Sequence, residues 1–564
     1  MSQLPPGDAT SNNVEHYFKQ AAVAADSREC SEIGTSIMRD HGGSAMDAAI
    51  AAALCSSVVN AHSCSIGGGA IITLYKRSEE KMYSIIGREQ APSKLTTETL
   101  ISDPLSKRIG GLSICIPGEI CSLYEGWKLA GRLPWKQLFQ PAIKMCKNGV
   151  KVRAALAKAI DEDVKNKNLQ LKERVPGFLE FLTNPETGEI YKEGDIMYRP
   201  VLAKTLEKIA DEGPDCFYRG SLTDDMIADI TDANGILTKE DFANYTALIK
   251  PPLSLKLTDD FTVYSPPLPT SGILYQYILD LLKDFKFDQS SVSTVEKSIE
   301  TWHRITEAFK HTGAVKQYLG DNDICTDEVK DSIDEMVRKA RNTDYIKSKR
   351  AKILDTKTFN STYYDNLNLG NQHKDHGTSH LSVIGPNGDA VSISCSNSLH
   401  FGSKIVGTRT GIVFNDTIRN FSLPNVNSRY NSPPLKSNLA EPLRRPLTAM
   451  CPSIVVDRKG DVKLVIGGSG ATRIPTSLAL ITIETLLFKW GIKEAIHYPR
   501  LHHQLYPSLL YVQLGFPKEV VNGLQHIGHE VADMNPSIIQ GILKTGDKIT
   551  ACGDYRKDGH ASGF

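Results

Sequence analysis

The chain has 564 residues, with 65 basic and 65 acidic side chains and therefore a formal net charge of zero. Proteins that bind nucleic acid through their electrostatic field need a basic excess, so this balance argues against that class. With 40% hydrophobic and 23% charged residues, the composition is typical of a globular protein rather than a disordered or fibrous one.

The N-terminus is polar and shows neither a signal peptide nor an anchor. Residues 1–17 contain no apolar core of the kind that a signal peptide needs, and residues 1–18 are expected to be a disordered segment. No later run of uncharged apolar residues is long enough to predict a transmembrane helix. The eleven cysteines form no Cys-x-x-Cys pair, so the sequence does not support a zinc ribbon or a thioredoxin-like site.

The first 350 residues show mainly helical patterns. Residues 43–54 predict an alanine-rich buried helix that ends before the glycines at 67–69, and residues 71–75 and 82–86 predict a strand hairpin. Apolar residues then recur every three or four positions in several further segments. These predicted amphipathic helices cover 118–130, 135–148, 199–212, 271–285 and 296–318.

The pattern changes from polar loop to strands near residue 378. Residues 352–377 are polar and without periodicity, which predicts an exposed loop. The sequence then predicts a strand, a turn and a second strand over residues 380–394. Further strands are expected at 411–414, 453–457 and 462–466, followed by a helix at 475–490. Helices followed by strands suggest a layered α/β domain.

Two local patterns have chemical potential. The glycines at 467–470 join a strand to a helix, where free backbone N–H groups could bind an anion or a developing oxyanion, although a plain tight turn is an equal alternative. At Gly377-Thr378, a hydroxyl residue follows a glycine at the junction of loop and strand. If the chain were cut there, Thr378 would carry both a nucleophilic hydroxyl and a free α-amine that could serve as its base.

Arg88 follows an apolar strand and is a candidate for binding a carboxylate. A guanidinium group grips a carboxylate through two parallel hydrogen bonds. From the pattern alone, a surface salt bridge to Glu89 is the simpler interpretation.

Seven motifs occur together in one order from about residue 17 to the C-terminus, and in that order the chain resembles the gamma-glutamyltransferase (glutathione hydrolase) family. The motifs are Gln20-Ala-Ala-Val-Ala-Ala-Asp, Gly43-Ser-Ala-Met-Asp-Ala-Ala, Asn60-Ala-His-Ser-Cys-Ser-Ile-Gly-Gly-Gly, Gly377-Thr-Ser-His-Leu-Ser-Val, Phe401-Gly-Ser, Pro446-Leu-Thr-Ala-Met-Cys-Pro and Arg500-Leu-His.

The resemblance implies an N-terminal-nucleophile hydrolase with a four-layer αββα sandwich. The precursor would cut itself between Gly377 and Thr378 into a large subunit, 19–377 after the N-terminal segment, and a small subunit, 378–564. Thr378 would then attack the gamma-glutamyl amide of glutathione or a related compound. Water, an acceptor amino acid or a dipeptide would resolve the acyl-enzyme, and no metal or organic cofactor is implied.

The same resemblance assigns roles near the nucleophile and in the donor pocket. The oxyanion-binding backbone positions fall at Gly470 and Ala471, and the family's threonine that hydrogen-bonds the nucleophile falls at Ser396. Arg88 matches the clamp on the donor α-carboxylate. The two serines that assist this clamp match Thr448 and Ala449, so one hydroxyl is missing.

The part of the pocket that would hold the donor α-amino group departs from the family. The family's asparagine matches Ser398, with Asn397 one place away, and its acidic pair matches the uncharged Thr417 and Asn420. Asp416 lies nearby, but alternation along a strand would point it to the opposite face. Because hydrogen bonds to charged groups contribute roughly 1.5–3 kcal/mol each, losing two would cost on the order of 3–6 kcal/mol.

Three functions are therefore compatible with the sequence. The chain is expected to be an active gamma-glutamyl hydrolase or transpeptidase. The alternatives are a non-catalytic homologue that acts as a binding or effector protein, and an enzyme whose γ-linked donor lacks a free ammonium group.

The resemblance also suggests an extracellular or cell-surface location and a disulfide between Cys30 and Cys55. Four Asn-x-Ser/Thr triplets, which begin at Asn244, Asn360, Asn415 and Asn420, are candidate glycosylation sites. Splitting the chain after Gly377 gives a large part with net charge −6 and a small part with +6. Opposite charges would favour association of the two parts.

Overall fold

The computed structural model describes residues 16–101, 105–106, 108–364, 377–423 and 435–564. Strands and helices in these ranges are numbered in chain order. The strands are β1 (His16–Phe18), β2 (Ala22–Ala25), β3 (Gly69–Lys76), β4 (Lys81–Gly87), β5 (Val150–Lys151), β6 (Ile196–Met197), β7 (Leu248–Lys250), β8 (Leu253–Lys256), β9 (Phe261–Ser265), β10 (Gly377–Ile384), β11 (Ala390–Ser398), β12 (Ser453–Asp457), β13 (Val462–Ser469), β14 (Leu501–His502), β15 (Leu510–Val512), β16 (Val531–Asp533), β17 (Ile538–Thr545), β18 (Lys548–Cys552) and β19 (His560–Gly563). The helices are α1 (Arg28–Arg39), α2 (Ala45–Val59), α3 (Thr97–Ile101), α4 (Glu119–Ala130), α5 (Trp135–Asn148), α6 (Ala154–Lys165), α7 (Leu171–Arg174), α8 (Pro176–Phe181), α9 (Pro200–Glu212), α10 (Asp215–Tyr218), α11 (Ser221–Asp232), α12 (Lys239–Asn244), α13 (Gly272–Leu282), α14 (Val295–Lys316), α15 (Asp327–Lys339), α16 (Thr343–Arg350), α17 (Ser361–Tyr364), α18 (Arg473–Leu486), α19 (Ile492–His497) and α20 (Lys518–His526).

Two seven-stranded antiparallel sheets form the centre of the molecule. One sheet has the order β1-β18-β17-β13-β12-β9-β8, and the other has the order β19-β2-β10-β11-β3-β4-β7. Each sheet contains strands from both sides of residue 377. The parts of the chain before and after this residue therefore share one fold rather than forming separate domains.

Three apolar cores separate four layers. Helices α1, α2, α4 and α5 pack on the outer face of the β10 sheet, and α13, α14 and α18 pack on the outer face of the β13 sheet. Small residues, among them Ala22, Ala24 and Ala390, lie between the two sheets. This arrangement confirms the expected αββα sandwich.

Helix α2 shows why the alanine-rich segment is helical and central. All fifteen of its residues are buried, so the helix is apolar on every side. Ser44 and Asp47 form a capping box that satisfies backbone donors at its start. Short alanine side chains let the neighbouring helices and the β10 sheet approach closely.

Most predicted elements are confirmed, with four differences. Residues 16–18 form β1, paired with β18, instead of belonging to a disordered segment. Residues 411–414 make only isolated bridges to Gly67 and Val406 and are not a strand. The polar segment after 352 contains α17, and the helices α15 and α16 were not predicted. Strand β13 continues through Ser469, so Gly467 and Gly468 lie in a strand and not in a turn.

Within the described residues, no helix combines the length and the apolar character that a membrane crossing requires.

Candidate active site

Thr378 lies at the start of β10, buried beside Ser396 of β11. The Thr378 Oγ1 is 3.0 Å from Ser396 Oγ, and Ser396 Oγ donates to the carbonyl oxygen of Gly377 at 2.8 Å. Because Ser396 has a single hydroxyl proton, which points to Gly377, the Thr378 hydroxyl is the donor in their mutual bond. The predicted nucleophile, its predicted partner and the predicted scissile carbonyl are thus connected by two hydrogen bonds.

The peptide bond between Gly377 and Thr378 coincides with an irregularity in the ladder. Gly377 pairs with Ser398, whereas Thr378 pairs with Ser396, so the register shifts between the two residues. A Cβ atom on Gly377 would lie only 2.0 Å from the Leu399 carbonyl oxygen. Glycine is required here by this close backbone approach.

A buried ion pair that the sequence analysis missed supports the nucleophile from the other side. Lys557 Nζ donates to the Thr378 carbonyl oxygen at 2.8 Å and to Asp26 Oδ2 at 2.7 Å. Asp26 also accepts from Ser379 Oγ and from Gln540 Nε2. Asp26 belongs to the first family-like motif, but nothing local in sequence connects it to Lys557, more than 500 positions later.

His380 fixes how β10 lies on β13. A Cβ on Gly467 would be 2.2 Å from the His380 ring, so glycine makes room for the imidazole between the sheets. Its ring nitrogens bond Ser394 and Ser382, and burial lowers the pKa of His380 to about 3.

The contacts between the two strands place the end of β13 at the start of β10. Ser392, which pairs with Ser382, donates to the Ile466 carbonyl oxygen. Moving from Ser382 to His380 thus corresponds to moving from Ile466 to Gly467. The residues that follow Gly467 therefore approach Thr378.

The turn after β13 has the features of an oxyanion site. Gly470 has φ +127° and Ala471 has φ +56°, after which α18 begins at Arg473. The structure gives no hydrogen-bond acceptor among the described residues to the N–H of either Gly470 or Ala471. Two such N–H groups at a helix N-terminus can stabilise negative charge on oxygen. Ala471 adopts the left-handed conformation that is unfavourable for a residue with a Cβ.

Arg88 is almost completely buried and is not part of a surface salt bridge. Its Nε donates to the Pro446 carbonyl oxygen, and its Nη1 pairs with Glu89 Oε2 at 2.7 Å. Its Nη2 is buried without a partner among the described residues. Glu89 also accepts from Thr417 Oγ1 at 2.9 Å. An unpaired guanidinium nitrogen is suited to bind a carboxylate.

A small cavity of about 70 Å³ brings together three of the predicted donor-binding residues, Asn420, Thr448 and Ala449. Ser398 adjoins them, because its Oγ donates to Asn420 Oδ1 at 3.3 Å. The cavity lining also includes Ser271, whose hydroxyl donates to the Thr448 carbonyl oxygen. Ser271 is a hydroxyl residue next to Ala449 that the sequence analysis did not find. The complete lining is Ser271, Leu274, Lys316, Asn420, Leu435, Asn438, Leu447, Thr448, Ala449, Thr472 and Pro475.

Two further polar residues near this region face elsewhere. Asp416 Oδ1 accepts from the backbone N–H of Leu399, and Asn397 Nδ2 donates to the Ala61 carbonyl oxygen. Neither belongs to the cavity lining. Neighbouring polar side chains therefore do not replace the uncharged Thr417 and Asn420, as alternation along the chain predicted for Asp416.

The expected disulfide between Cys30 and Cys55 is not formed in the structure. Both residues are buried free thiols, as are or remain free all other cysteines of the described chain. Ser27 Oγ donates to Cys30 Sγ at 3.0 Å, so this sulfur already has a polar partner. Burial raises the pKa of Cys30 to about 12.

Two buried clusters contain residue types that bind metals. One comprises Cys64, Glu119 and Cys395, and the other comprises His303, Glu307 and His529. In the second, His303 Nδ1 is 2.8 Å from His529 Nε2 and Thr358 donates to Glu307. These bonds explain the histidine cluster as buried polar packing that holds the segment before α17.

Comparison with known proteins agrees with the motifs and the geometry. The family model described as Gamma-glutamyltranspeptidase matches residues 30–564. The chain is 38% identical to Scoloptoxin SSD14 of Scolopendra dehaani over 97% of this chain and 92% of the relative. It is 33% identical to Glutathione hydrolase proenzyme 2 of Schizosaccharomyces pombe, over 97% of this chain and 87% of the relative.

Solved structures share the fold. The cephalosporin acylase from Bacillus halodurans superposes with a TM-score of 0.81 at 23% identity, covering 100% of this chain and 99% of that chain. The gamma-glutamyltranspeptidase of Helicobacter pylori gives a TM-score of 0.53 at 24% identity, covering 64% of this chain and 96% of that chain. By its sequence over nearly the whole length, the chain belongs to the gamma-glutamyltranspeptidase family.

Proposed function

We propose that this chain is a gamma-glutamyl hydrolase or transpeptidase that uses Thr378 as its nucleophile after cutting itself between Gly377 and Thr378. The observation that carries the proposal is the hydrogen-bonded series from Thr378 Oγ1 through Ser396 Oγ to the Gly377 carbonyl oxygen. It supplies an attacking hydroxyl and a polarised carbonyl at one peptide bond.

Self-cleavage begins when Thr378 Oγ attacks the Gly377 carbonyl carbon. The hydroxyl of Ser396 stabilises the oxygen on which charge develops, and collapse breaks the C–N bond to leave an ester on Thr378. Water then hydrolyses the ester. The products are a carboxylate on Gly377 and a free α-amine on Thr378.

The mature enzyme repeats this chemistry on its donor. Thr378 Oγ attacks the γ-amide carbonyl of the donor while the α-amine takes the hydroxyl proton. The N–H groups of Gly470 and Ala471 bind the oxyanion, and the amine product leaves with the proton. Water, an amino acid or a dipeptide then attacks the acyl-enzyme and restores the Thr378 hydroxyl.

Arg88 and the cavity around Asn420 and Thr448 hold the donor in this proposal. The unpaired Nη2 of Arg88 binds the donor α-carboxylate. Glutathione or a related γ-glutamyl compound is the donor class, and the large and small subunits of one precursor form the site.

The mass of the purified chain, combined with glutamate release from glutathione, tests the proposal. We expect two fragments that separate at Gly377–Thr378, and one unsplit, inactive species for Thr378→Ala. Thr378→Ser keeps the hydroxyl and is expected to split. If Thr378→Ala still splits after Gly377, another protease makes the cut; an unsplit, inactive wild type would favour the binding or effector protein.

We further propose an extracellular or cell-surface location. Asn244 and Asn360 are exposed, whereas Asn415 and Asn420 are buried. Glycans are therefore expected only at Asn244 and Asn360 of the four triplets. Peptide mass mapping of the protein secreted by its own cells, before and after glycosidase treatment, tests this expectation.

A further inference from the structure

The cavity beside Thr448 has a charge that does not suit the α-ammonium group of a γ-glutamyl donor. Among the described side chains that line it, Lys316 is the one that carries a charge, and that charge is positive. Asn420, Asn438, Ser271 and Thr472 contribute neutral polar groups. An ammonium group placed here would lose water without gaining an acidic partner.

The nearest acidic groups have other partners. Glu89 is completely buried, pairs with Arg88 and accepts from Thr417, and it does not line the cavity. Asp416 accepts from the Leu399 N–H and lies 3.7 Å from Arg419 Nε. Glu89 and Asp416 are therefore already neutralised within the protein.

The other charges close to the cavity are positive. Arg473 follows Thr472 of the lining, and its Nε would be 3.7 Å from a Cβ on Gly470. Lys316 and Arg473 both lower the pKa of the buried His502, which shows that both act on the same region; burial is the largest cause and takes that pKa to about 3. The local potential therefore favours a carboxylate and opposes an ammonium group.

We infer that the donor site selects γ-monoamides of dicarboxylic acids that lack an α-ammonium group, such as glutaryl amides, over the corresponding γ-glutamyl amides. The inference rests on the proposed function, because Thr378 remains the nucleophile and the bonds made and broken are the same. It narrows the donor class. The enclosed volume of about 70 Å³ suits removal of the amino group better than its acylation, which would add atoms.

A matched pair of donors tests this selectivity. Glutaryl-p-nitroanilide and γ-glutamyl-p-nitroanilide differ only in the α-ammonium group, and release of p-nitroaniline gives kcat/KM for each. We expect the glutaryl donor to be at least tenfold better for the wild type. Equal values, or a preference for the γ-glutamyl donor, would overturn the inference.

Two variants connect the preference to the cavity. Asn420→Asp adds an acidic group, and Lys316→Met removes the cation with little change in length. Each should shift the ratio of kcat/KM toward the γ-glutamyl donor by at least tenfold. Lys297→Met, an exposed position on the same helix α14, is the matched control and should leave the ratio unchanged. Unchanged ratios in both cavity variants would reject the role of this cavity.

Binding to Thr378→Ala separates this inference from the proposed function. If the wild type releases p-nitroaniline from neither donor, the proposed function fails, but calorimetry of the unsplit variant still compares glutarate with L-glutamate. We expect glutarate to bind at least tenfold more tightly. Equal or tighter binding of L-glutamate would contradict the inference whatever the catalytic result.

Discussion

At the scale of single residues, Ser396 has the most demanding position. Its hydroxyl donates to the Gly377 carbonyl oxygen and accepts from the Thr378 hydroxyl and from the Ser398 N–H at 3.0 Å. One side chain therefore orients the attacking group and polarises the bond that is to be cut. Threonine could make the same bonds, whereas alanine could make none of them.

Replacing Ser396 should therefore affect maturation before it affects stability. We expect Ser396→Ala to slow self-cleavage by on the order of 10²-fold, the cost typical of losing one donor to a developing oxyanion. Ser396→Thr should mature at nearly the wild-type rate. The fraction of split chain over time, measured by denaturing electrophoresis, decides; equal rates for the alanine and threonine variants would contradict the assigned role.

His380 makes stability depend on pH. Its pKa is about 3 in the folded protein and about 6.5 when unfolded, so the unfolded chain binds the extra proton between these values. Stability is therefore present above pH 6.5 and is lost as the pH falls toward 3. At pH 5 this single group is expected to cost about 2 kcal/mol.

Urea unfolding of the unsplit Thr378→Ala chain at pH 7 and pH 5 measures this effect. Adding His380→Gln should reduce the loss of unfolding free energy between the two pH values by about 2 kcal/mol. Gln retains a donor and an acceptor for Ser382 and Ser394. The same pH dependence with and without His380 would show that this imidazole is not the group responsible.

At the scale of elements, the β10–β11 pair creates the cleavage site. The two strands form a regular ladder from Thr378 to Ile384, and the register shifts only at the bond before Thr378. The shift brings the Leu399 carbonyl oxygen against Gly377 and leaves Ser396 facing the Gly377 carbonyl. The geometry for cleavage thus belongs to the strand pair rather than to either strand.

Adding a methyl group at this irregularity should disturb it. A Cβ on Gly377 would lie 2.0 Å from Leu399 O, so the two backbones must move apart. We expect Gly377→Ala to split at least tenfold more slowly than the wild type, measured by intact mass over time. Gly177→Ala is the matched control, because a Cβ at this exposed position meets nothing within 4 Å. Normal splitting of Gly377→Ala would show that the close approach is not needed.

At the scale of the whole molecule, the two predicted subunits interlock. Strand β10 lies between β2 of the large subunit and β11 of the small subunit, and β19 pairs with the other edge of β2. Backbone hydrogen bonds and apolar packing therefore connect them in both sheets. Their opposite net charges of −6 and +6 add attraction that salt can screen.

The fragments should consequently stay together when that attraction is screened. We expect the split protein to elute as one species in size-exclusion chromatography at both low salt and 1 M NaCl, since the Debye length falls to about 3 Å at 1 M. Dissociation in high salt alone would show that charge, rather than the shared sheets, holds the subunits together.

The sequence alone determined the family, the αββα fold and the position of the nucleophile, because these depend on motifs and periodicities that are local in the chain. It also identified Arg88, Ser396 and the uncharged Thr417 and Asn420 as positions to examine. Short, irregular segments were less predictable: residues 411–414 are apolar enough for a strand but make only isolated bridges.

Only the tertiary structure decided how the site is charged and supported. Lys557 reaches Thr378 O and Asp26 across the sheets, and Lys316 enters the donor cavity from the end of α14. Glu89 is neutralised by Arg88, and Ser271 lies beside Ala449. These partners are far apart in the chain, so no local pattern specifies them; burial between packed layers brings them together and fixes their charges.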